Sequence, residues 1–236
     1  RMIPQGEERR NYVRRMFGRI SSRYDLMNRL MTFGQDRNWR RDAIQKLELQ
    51  PGQRVLDIGA GTGDLALEIR RRHPDVEVVA ADLTPEMVAV GRQRADGSLV
   101  TWLIADAIHL PYPDACFDAV ISGYLLRNVP DVDAALREQR RVLKAGGRVV
   151  SLDTTPPANH ILKPFILFHL KVIIPVLGKI ITGEADAYQY LPESTRQFHS
   201  AETLAKKFLQ AGLVQVGYSR RMMGTMCIHW GQALGG

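Results

Sequence analysis

From Gln53 onward, short β-branched segments alternate with longer stretches of helical periodicity, and this alternation constrains the fold more than any other feature of the chain. It is typical of stacked βαβ units, in which helices cover both faces of a parallel sheet. The predicted strands are Arg54–Ile58, Val76–Ala81, Leu99–Ile104, Phe117–Ile121 and Arg148–Leu152, and the helices between them are Gly63–Arg72, Pro85–Ala95 and Asp131–Leu143, which stops at Gly146-Gly147. The sequence therefore predicts an α/β fold built on a parallel sheet.

The last third of the chain departs from this pattern. A helix over Ser200–Ala211 and a closing pair of strands, Val214–Tyr218 and Thr225–Trp230, are predicted there. Before them, residues 161–181 are strongly apolar, but three lysines and two prolines within the stretch argue against a transmembrane span. A buried helix pair, a lid that covers a substrate and a segment in contact with lipid stay open as interpretations.

The first predicted strand runs into a glycine loop, Asp57-Ile58-Gly59-Ala60-Gly61-Thr62-Gly63, at the start of a helix. Glycines at such turns let the backbone approach a ligand closely. The spacing is G-x-G-x-G with an acidic residue two positions before the first glycine, which matches neither the dinucleotide fingerprint nor a phosphate-binding P-loop. S-adenosylmethionine carries no phosphate, so an acidic loop is compatible with it and unfavourable for a pyrophosphate.

Two further acidic residues follow predicted strands. Asp82 ends the second strand, where a carboxylate can accept two hydrogen bonds from the ribose diol of adenosine or of NAD. Asp106 follows the third strand, where its placement resembles that of the acidic residue with which S-adenosylmethionine-dependent methyltransferases bind the adenine amino group; a turn residue is the alternative. Three acidic positions with this spacing favour S-adenosylmethionine. The predicted contacts of this cofactor are Asp57, Gly59, Gly61, Thr62, Gly63, Asp82, Leu83, Asp106 and Ala107.

Composition bounds the class of protein. With 236 residues, 45% of them hydrophobic and 24% charged, the chain is expected to form one domain with a sizeable core. The two cysteines argue against a disulfide framework and a zinc site, and a reducing, cytoplasmic location is expected. Gly6 to Arg23 is too charged for a signal peptide.

The net charge of +7 is concentrated at the N-terminus: residues 1–46 carry twelve Lys and Arg against five Asp and Glu. Nucleic acid, an anionic membrane surface and an anionic substrate would each suit such a segment, and a solvated helix face is the plain alternative.

Several segments outside the loop resemble one family, the quinone-biosynthesis C-methyltransferases. Tyr24–Trp39 resembles its N-terminal signature, Y-D-x-M-N followed by a hydrophobic residue, a small hydroxyl residue and a later tryptophan. Leu126–Val129 reads L-R-N-V after the fourth strand, as in the family, and Arg141–Gly147 is similar to its R-V-L-K-P-G-G. Tyr190–Ser194 and Ala211-Gly212 extend the likeness over nearly the whole chain.

The chain also departs from the family pattern. Asp36 stands where the signature often has His, Ala145 replaces Pro, and Asp153-Thr154-Thr155 replaces the usual Glu-x-Ser. Gly123 stands where relatives have a serine that contacts the cofactor, and Ser122 precedes it. Through this alignment Ser122 and Gly123 join the predicted cofactor contacts.

The resemblance implies a Rossmann-like class I methyltransferase fold: a seven-stranded, mostly parallel sheet with one antiparallel strand and helices on both faces. It implies S-adenosylmethionine as cofactor, S-adenosylhomocysteine as product, no metal, and C-methylation of a prenylated naphthoquinol (demethylmenaquinol to menaquinol). A polyprenyl benzoquinol is the alternative substrate. Another small-molecule or a nucleic-acid methyltransferase and a non-catalytic binding scaffold are lower alternatives; nucleic acid is not expected as a partner, because Ser122-Gly123-Tyr124-Leu125 does not resemble the motif of base amino methylation.

The resemblance also implies a division of the chain. Residues 1–46 are expected to form a basic helical arm that contributes to the substrate pocket, and residues 47–236 the methyltransferase domain, with a lid-like apolar insertion at 157–190. The arm suggests peripheral contact with an anionic membrane, at the inner face for a cytoplasmic enzyme. A homodimer is a further open expectation.

Arg127 and Asn128 are the predicted catalytic residues. Arg127 would stabilise a developing phenolate at the carboxyl edge of the sheet, and Asn128 would orient a ring oxygen. The predicted substrate-binding residues are Tyr24, Asn28, Asp153, Tyr188 and Tyr190, and the candidate bases are His109, His199 and His229. For each of these residues a packing, capping or surface role is the alternative, and no metal site is predicted.

Overall fold

A computed structural model describes residues 6–156 and 185–235, except for the side chains of 185–189 and 191, together with Val172 and Val176. The apolar segment at 161–181, apart from those two valines, and the side chain of Tyr188 lie outside the described residues. The three interpretations of that segment therefore stay open. Within the described part of the chain, no helix is long and apolar enough to cross a membrane.

Three helices precede the sheet: α1 (Gly6–Ile20), α2 (Tyr24–Met31) and α3 (Asp36–Gln45). Acidic residues in the first turn of α1 and an arginine in its last turn complement the helix dipole. The apolar sides of α1 and α2 meet in a small cluster of their own, formed by Met16, Ile20, Met27, Met31 and Tyr190. These helices fall within the predicted basic arm, whose boundary and role stay predictions.

The sheet and its covering helices follow: β1 (Arg54–Ile58), α4 (Asp64–Arg72), β2 (Glu77–Asp82), α5 (Pro85–Arg92), β3 (Thr101–Ile104), β4 (Phe117–Gly123), α6 (Val132–Val142), β5 (Leu143–Thr154), α7 (Ala185–Gln197), α8 (Ala201–Gln210), β6 (Leu213–Arg221) and β7 (Met226–Ala233). The strand order is β3-β2-β1-β4-β5-β7-β6. Strand β7 is antiparallel to both of its neighbours, and the other pairs are parallel. The predicted fold class is confirmed.

Both faces of the sheet are buried, because side chains alternate along each strand. Val55 points into a core that α3 and α4 cover, whereas the next residue, Leu56, points into a core that α6 and α8 cover. Phe117 and Phe208 are fully buried in the second core. Parallel strands buried on both faces read as continuous apolar runs, which is the pattern that the sequence shows.

Most element boundaries lie within about three residues of the predicted ones, and two helix starts have a visible cause. Asp131 and Ser200 are the N-caps of α6 and α8, because their side chains accept hydrogen bonds from the backbone N–H groups of Ala134 and Thr203. The predicted stop of α6 at Gly146 is wrong. The helix ends at Val142, and Leu143 already pairs with β4, so the backbone groups there bond to the sheet.

Candidate active site

A cleft of about 730 Å³ lies at the carboxyl ends of the central strands. Strand order reverses between β1 and β4, and ligands bind at such a switch point in open α/β sheets. The predicted site residues that line this cleft are Tyr24, Gly59, Gly61, Asp82, Leu83, Asp106, Ala107, Gly123 and Asn128. The two halves of the predicted site, the glycine loop and the L-R-N-V segment, therefore share one cavity.

Two glycines of the loop, Gly61 and Gly63, have different structural roles. Gly61 has a φ of +57°, and a Cβ built there meets no atom within 4 Å, so its backbone faces open space in the cleft. Gly63 has a φ of +86°, and its Cβ would lie 2.4 Å from the Trp102 ring. Gly91 packs against the same ring, which leaves Trp102 little room to move. Gly61 is therefore available to a ligand, whereas Gly63 allows α4 and β3 to pack.

We expect alanine at these two positions to affect stability and cofactor binding in different proportions. Gly63→Ala should lower the free energy of unfolding by about 3 kcal/mol, because a left-handed conformation and a clash with Trp102 add together. Gly61→Ala should lower the free energy of unfolding by only about 1–2 kcal/mol, through backbone strain. Among folded molecules, however, Gly61→Ala should weaken cofactor binding more than Gly63→Ala does. Urea unfolding and calorimetric titration with S-adenosylhomocysteine measure both quantities. Equal loss of stability in the two variants would contradict this assignment.

Asp82 holds the loop in place. Its two carboxylate oxygens accept hydrogen bonds from the backbone N–H groups of Gly61 and Thr84, each at 2.8 Å. Burial raises the pKa of Asp82, and the two hydrogen bonds oppose that shift. Each oxygen has a second lone pair, so the carboxylate can also accept the hydroxyls of a diol in the cleft.

Asp57 lies beneath the loop and does not line the main cleft. It is fully buried, and one of its oxygens accepts a hydrogen bond from Ala66 N at 3.0 Å, while the other has no partner among the described residues. Burial raises its pKa to about 7. It borders a smaller cavity of about 390 Å³, which Tyr24, Arg40 and Tyr124 also line.

The raised pKa of Asp57 predicts a pH-dependent stability. The unfolded chain loses this proton near the ordinary carboxyl pKa of 3.8 and the folded chain near 7, so the free energy of unfolding falls as the pH rises through that window. The free energy of unfolding of Asp57→Asn should therefore rise by about 2–3 kcal/mol relative to that of wild type as the pH is raised from 5 to 8. Urea unfolding at both pH values tests this, with the exposed Asp75→Asn as control; parallel pH profiles for Asp57→Asn and wild type would rule it out.

Helix α1 covers one end of the cleft, a contact that the sequence did not indicate. Arg10 donates a hydrogen bond to Asp106 at 3.1 Å, and Val13, Arg14 and Phe17 line the cavity beside it. Asp106 also accepts a hydrogen bond from the backbone N–H of Ile108 at 3.2 Å. The amphipathic pattern of α1 signalled a buried side, but nothing local to it shows which surface that side covers.

Three predicted cofactor residues are turned away from the main cleft. The Thr62 hydroxyl donates a hydrogen bond to Asp25 at 2.6 Å, Gly63 packs on Trp102, and Ser122 is fully buried. In the described part of the chain the Ser122 hydroxyl has no hydrogen-bond partner. The contacts of these residues with a cofactor stay predictions.

Arg127 is buried in the wall between β4 and α7 and does not line the cleft. Its Nε lies 3.2 Å from Asp153 Oδ1, its Nη1 donates to Ser194 Oγ at 3.0 Å, and its backbone N–H donates to Asp153 Oδ2 at 3.1 Å. Arg9 donates to its carbonyl oxygen. Burial raises the pKa of Asp153 in spite of the adjacent guanidinium. Arg127 and Asp153 thus form a buried ion pair that fixes the turn preceding Asn128.

Asn128 and Tyr24 do face the cleft. Asn128 Nδ2 donates to the Tyr124 carbonyl at 2.7 Å, whereas its Oδ1 has no partner among the described residues and is available as an acceptor. Burial raises the pKa of the Tyr24 hydroxyl, and a hydrogen bond with Asn28 opposes this shift. Tyr190 packs against Tyr12 with ring centroids 5.7 Å apart. Asn28 and Tyr190 do not line the cleft.

Tyr124 is a site residue that the sequence analysis missed. It follows β4 with a φ of +58°, an unusual conformation for a tyrosine, and it lines both cavities. Burial raises the pKa of its hydroxyl. Its position after the strand at the switch point was the only available signal. The three candidate histidines do not line the cleft, and burial lowers the pKa of His229 to about 4.

Comparison with known proteins decides the family. Residues 4–233 match the model of the ubiE/COQ5 methyltransferase family. The chain belongs to this family. It is 47% identical to the ubiquinone/menaquinone biosynthesis C-methyltransferase UbiE of Desulfotalea psychrophila, over 93% of this chain and 89% of that protein. It is 42% identical to a demethylmenaquinone methyltransferase of Thermus thermophilus, over 92% of this chain and 99% of that protein.

Solved structures agree on the fold. A SAM-dependent methyltransferase from Thermotoga maritima superposes with a TM-score of 0.65 at 18% identity, over 93% of this chain and 99% of that one. As a member of the ubiE/COQ5 family, the chain is an S-adenosylmethionine-dependent C-methyltransferase. The predicted family and enzyme class are confirmed.

The cleft of this ubiE/COQ5 methyltransferase fits that cofactor. Gly61 leaves room beside its backbone, the Asp82 oxygens keep lone pairs that a diol could use, and Asp106 also lines the cleft. The unpartnered oxygen of Asp57 can accept an ammonium group in the smaller cavity. The residues present therefore suit a nucleoside that carries an amino acid group.

Proposed function

We propose that this enzyme methylates a ring carbon of a prenylated naphthoquinol, as in the step from demethylmenaquinol to menaquinol. One observation carries the proposal: Tyr24 and Asn128 belong to two motif segments about a hundred residues apart, and both line the cleft that holds Gly61 and Asp82. The names of the relatives at 42% and 47% identity support the same substrate class. A polyprenyl benzoquinol is the second candidate, because the name of the Desulfotalea relative covers both quinones.

The chemistry needs an electron-rich ring carbon in line with a transferable methyl group, at about 3–3.5 Å before reaction. S-adenosylmethionine supplies that methyl on a sulfonium centre, and the ring carbon afterwards loses its proton. A reduced quinol is electron-rich enough for this attack, whereas the oxidised quinone is not. The residues of the chain therefore contribute mainly by holding and orienting the ring.

Individual roles follow from the contacts in the cleft. The free Oδ1 of Asn128 can accept a hydrogen bond from a quinol hydroxyl and so orient the ring. The Tyr24 hydroxyl is a neutral donor, because burial raises its pKa still further above neutral pH than that of a free tyrosine. The ion pair with Asp153 supports a positioning role for Arg127 through the turn that carries Asn128. These roles, and those of Asp82 and Asp106 toward the cofactor, are part of the proposal.

We also propose that the enzyme works at the inner surface of a membrane, where prenylated quinols reside. Leu26 and Leu30 lie on one side of α2 and are 50% and 41% exposed, and the basic residues of the first 46 positions surround them in sequence. Each Lys or Arg near an anionic bilayer contributes roughly 1 kcal/mol. Liposome binding should therefore weaken with added salt.

A direct assay tests the substrate. Purified enzyme with methyl-labelled S-adenosylmethionine should label a chemically reduced demethylmenaquinone analogue faster than a matched prenyl benzoquinol, and should not label the oxidised quinone. Mass spectrometry locates the new methyl on the ring. Preference for the benzoquinol would favour the second candidate, and transfer to neither quinol would overturn the proposal. Complementation of strains that lack either quinone pathway gives the same comparison in cells.

A further inference from the structure

A third cavity, of about 630 Å³, adjoins the smaller cavity of the candidate site, with which it shares Arg40 and Asp64, and all eight residues that line it are charged. Its walls come from α2, α3, α4 and the segment after α5. The residues that line it are Arg29, Arg37, Arg40, Arg41, Arg71, Arg94, Asp64 and Glu68. Six guanidinium groups thus face two carboxylates, and we call this the arginine cavity.

Two of the arginines form its base. Arg40 pairs with Asp36 at 2.8 Å and with Asp64 at 2.7 Å, and Arg94 pairs with Asp64 at 2.6 Å. Burial alone would raise the pKa of Asp64, but Arg40 and Arg94 lower it below its ordinary value. Asp64 is therefore ionised and already shared between two guanidinium groups.

The other four arginines are incompletely neutralised. Glu68 lies 3.5 Å from both Arg41 and Arg71 and also pairs with Arg72 at 2.7 Å, while Arg71 has a second carboxylate, Asp96, at 3.6 Å. Arg29 and Arg37 are exposed, and the charge of Arg29 contributes to lowering the pKa of Asp64 across the cavity. Together with Arg72, the six lining arginines have five carboxylate partners, Asp25, Asp36, Asp64, Glu68 and Asp96, so an excess of two positive charges remains, which an entering anion would neutralise.

We propose that the arginine cavity binds a phosphate group. Guanidinium forks match phosphate oxygens in geometry and charge, and several converging arginines favour a dianion over a single carboxylate. The described residues that line the cavity include no aromatic ring on which a nucleobase could stack, which favours a phosphate group without a base. The phosphate belongs either to a soluble compound or to a phospholipid headgroup; Arg29 lies on α2 between the exposed Leu26 and Leu30, next to a surface suited to lipid.

Calorimetric titration of the full chain with inorganic pyrophosphate at low salt tests the site. Wild type should bind one equivalent saturably. Arg29→Gln/Arg37→Gln should weaken binding at least about tenfold, because two charge-assisted contacts are lost. The matched control is Arg137→Gln/Arg140→Gln, the same change of charge on α6 at the opposite face of the sheet, which should bind as wild type does. No saturable binding, or equal weakening in both double variants, overturns the proposal.

A vesicle experiment identifies the source of the phosphate. The protein is sedimented with phosphatidylcholine vesicles that contain phosphatidic acid. Co-sedimentation of wild type that is lost in Arg29→Gln/Arg37→Gln and reversed by pyrophosphate supports a lipid headgroup. Saturable pyrophosphate binding without sedimentation supports a soluble phosphate compound. Neither measurement requires methyl transfer, so the outcome is independent of the quinol substrate.

Discussion

Asp82→Ala is expected to weaken the binding of S-adenosylhomocysteine by about a hundredfold, or about 3 kcal/mol. The ribose diol would lose the two hydrogen bonds that we propose it donates to this carboxylate, and the loop would lose the acceptor that now holds the backbone N–H of Gly61 at 2.8 Å. Thr84 would lose its acceptor at the same time. Calorimetric titration measures the affinity, and methyl transfer at saturating quinol should fall in parallel.

Two further variants of this aspartate experiment make the result specific. Asp82→Asn keeps the size of the side chain and one acceptor oxygen, so its loss of affinity should be intermediate. Asp75→Ala makes the same change at an exposed position before β2, at the opposite edge of the sheet, and should bind as wild type does. If Asp82→Ala melts normally and binds the cofactor product unchanged, the ribose site lies elsewhere.

Arg127→Met is expected to lower the free energy of unfolding by about 3–5 kcal/mol, because it leaves the carboxylate of Asp153 buried without its cation. Asp153 is 1% exposed and Arg127 5% exposed, so solvent cannot replace the lost partner. Arg127→Met/Asp153→Asn should recover most of that loss, since the amide is neutral and its oxygen still accepts a backbone N–H. The measurement is urea unfolding of the single and double variants.

The same series separates a positioning role of Arg127 from direct contact with the substrate. A positioning role predicts that activity at low temperature falls in Arg127→Met together with stability, and that the double variant regains part of both. Arg137→Met, an exposed arginine on α6, should change stability by less than about 0.5 kcal/mol. If Arg127→Met is as stable as wild type but inactive, the guanidinium contacts the reacting ring, as the sequence alone suggested.

The local sequence pattern was sufficient to predict where the strands of the sheet lie. The strand predicted at Arg54–Ile58 has those bounds in the structure, because a short apolar run between turn residues leaves little choice. The predicted ends of strands were less accurate where they depend on pairing with an adjacent strand. Strand β4 continues to Gly123 because Ser122 and Gly123 pair with Ser151 and Leu152, and β5 starts at Leu143 because that residue pairs with Phe117 before an irregularity in the register. The placement of β7 between β5 and β6 likewise depends on pairing between distant segments.

The candidate site divides in the same way. By itself the sequence determined the glycine loop, Asp82, Asp106 and Asn128, since turn conformation and position after a strand are local properties. Only the tertiary structure showed that Arg10 contacts Asp106, that Tyr124 lies between two cavities and that six arginines line a third cavity. It also paired Arg127 with residues 26 and 67 positions away in sequence. These contacts arise when amphipathic helices and sheet pack, and burial then determines which charges must be paired.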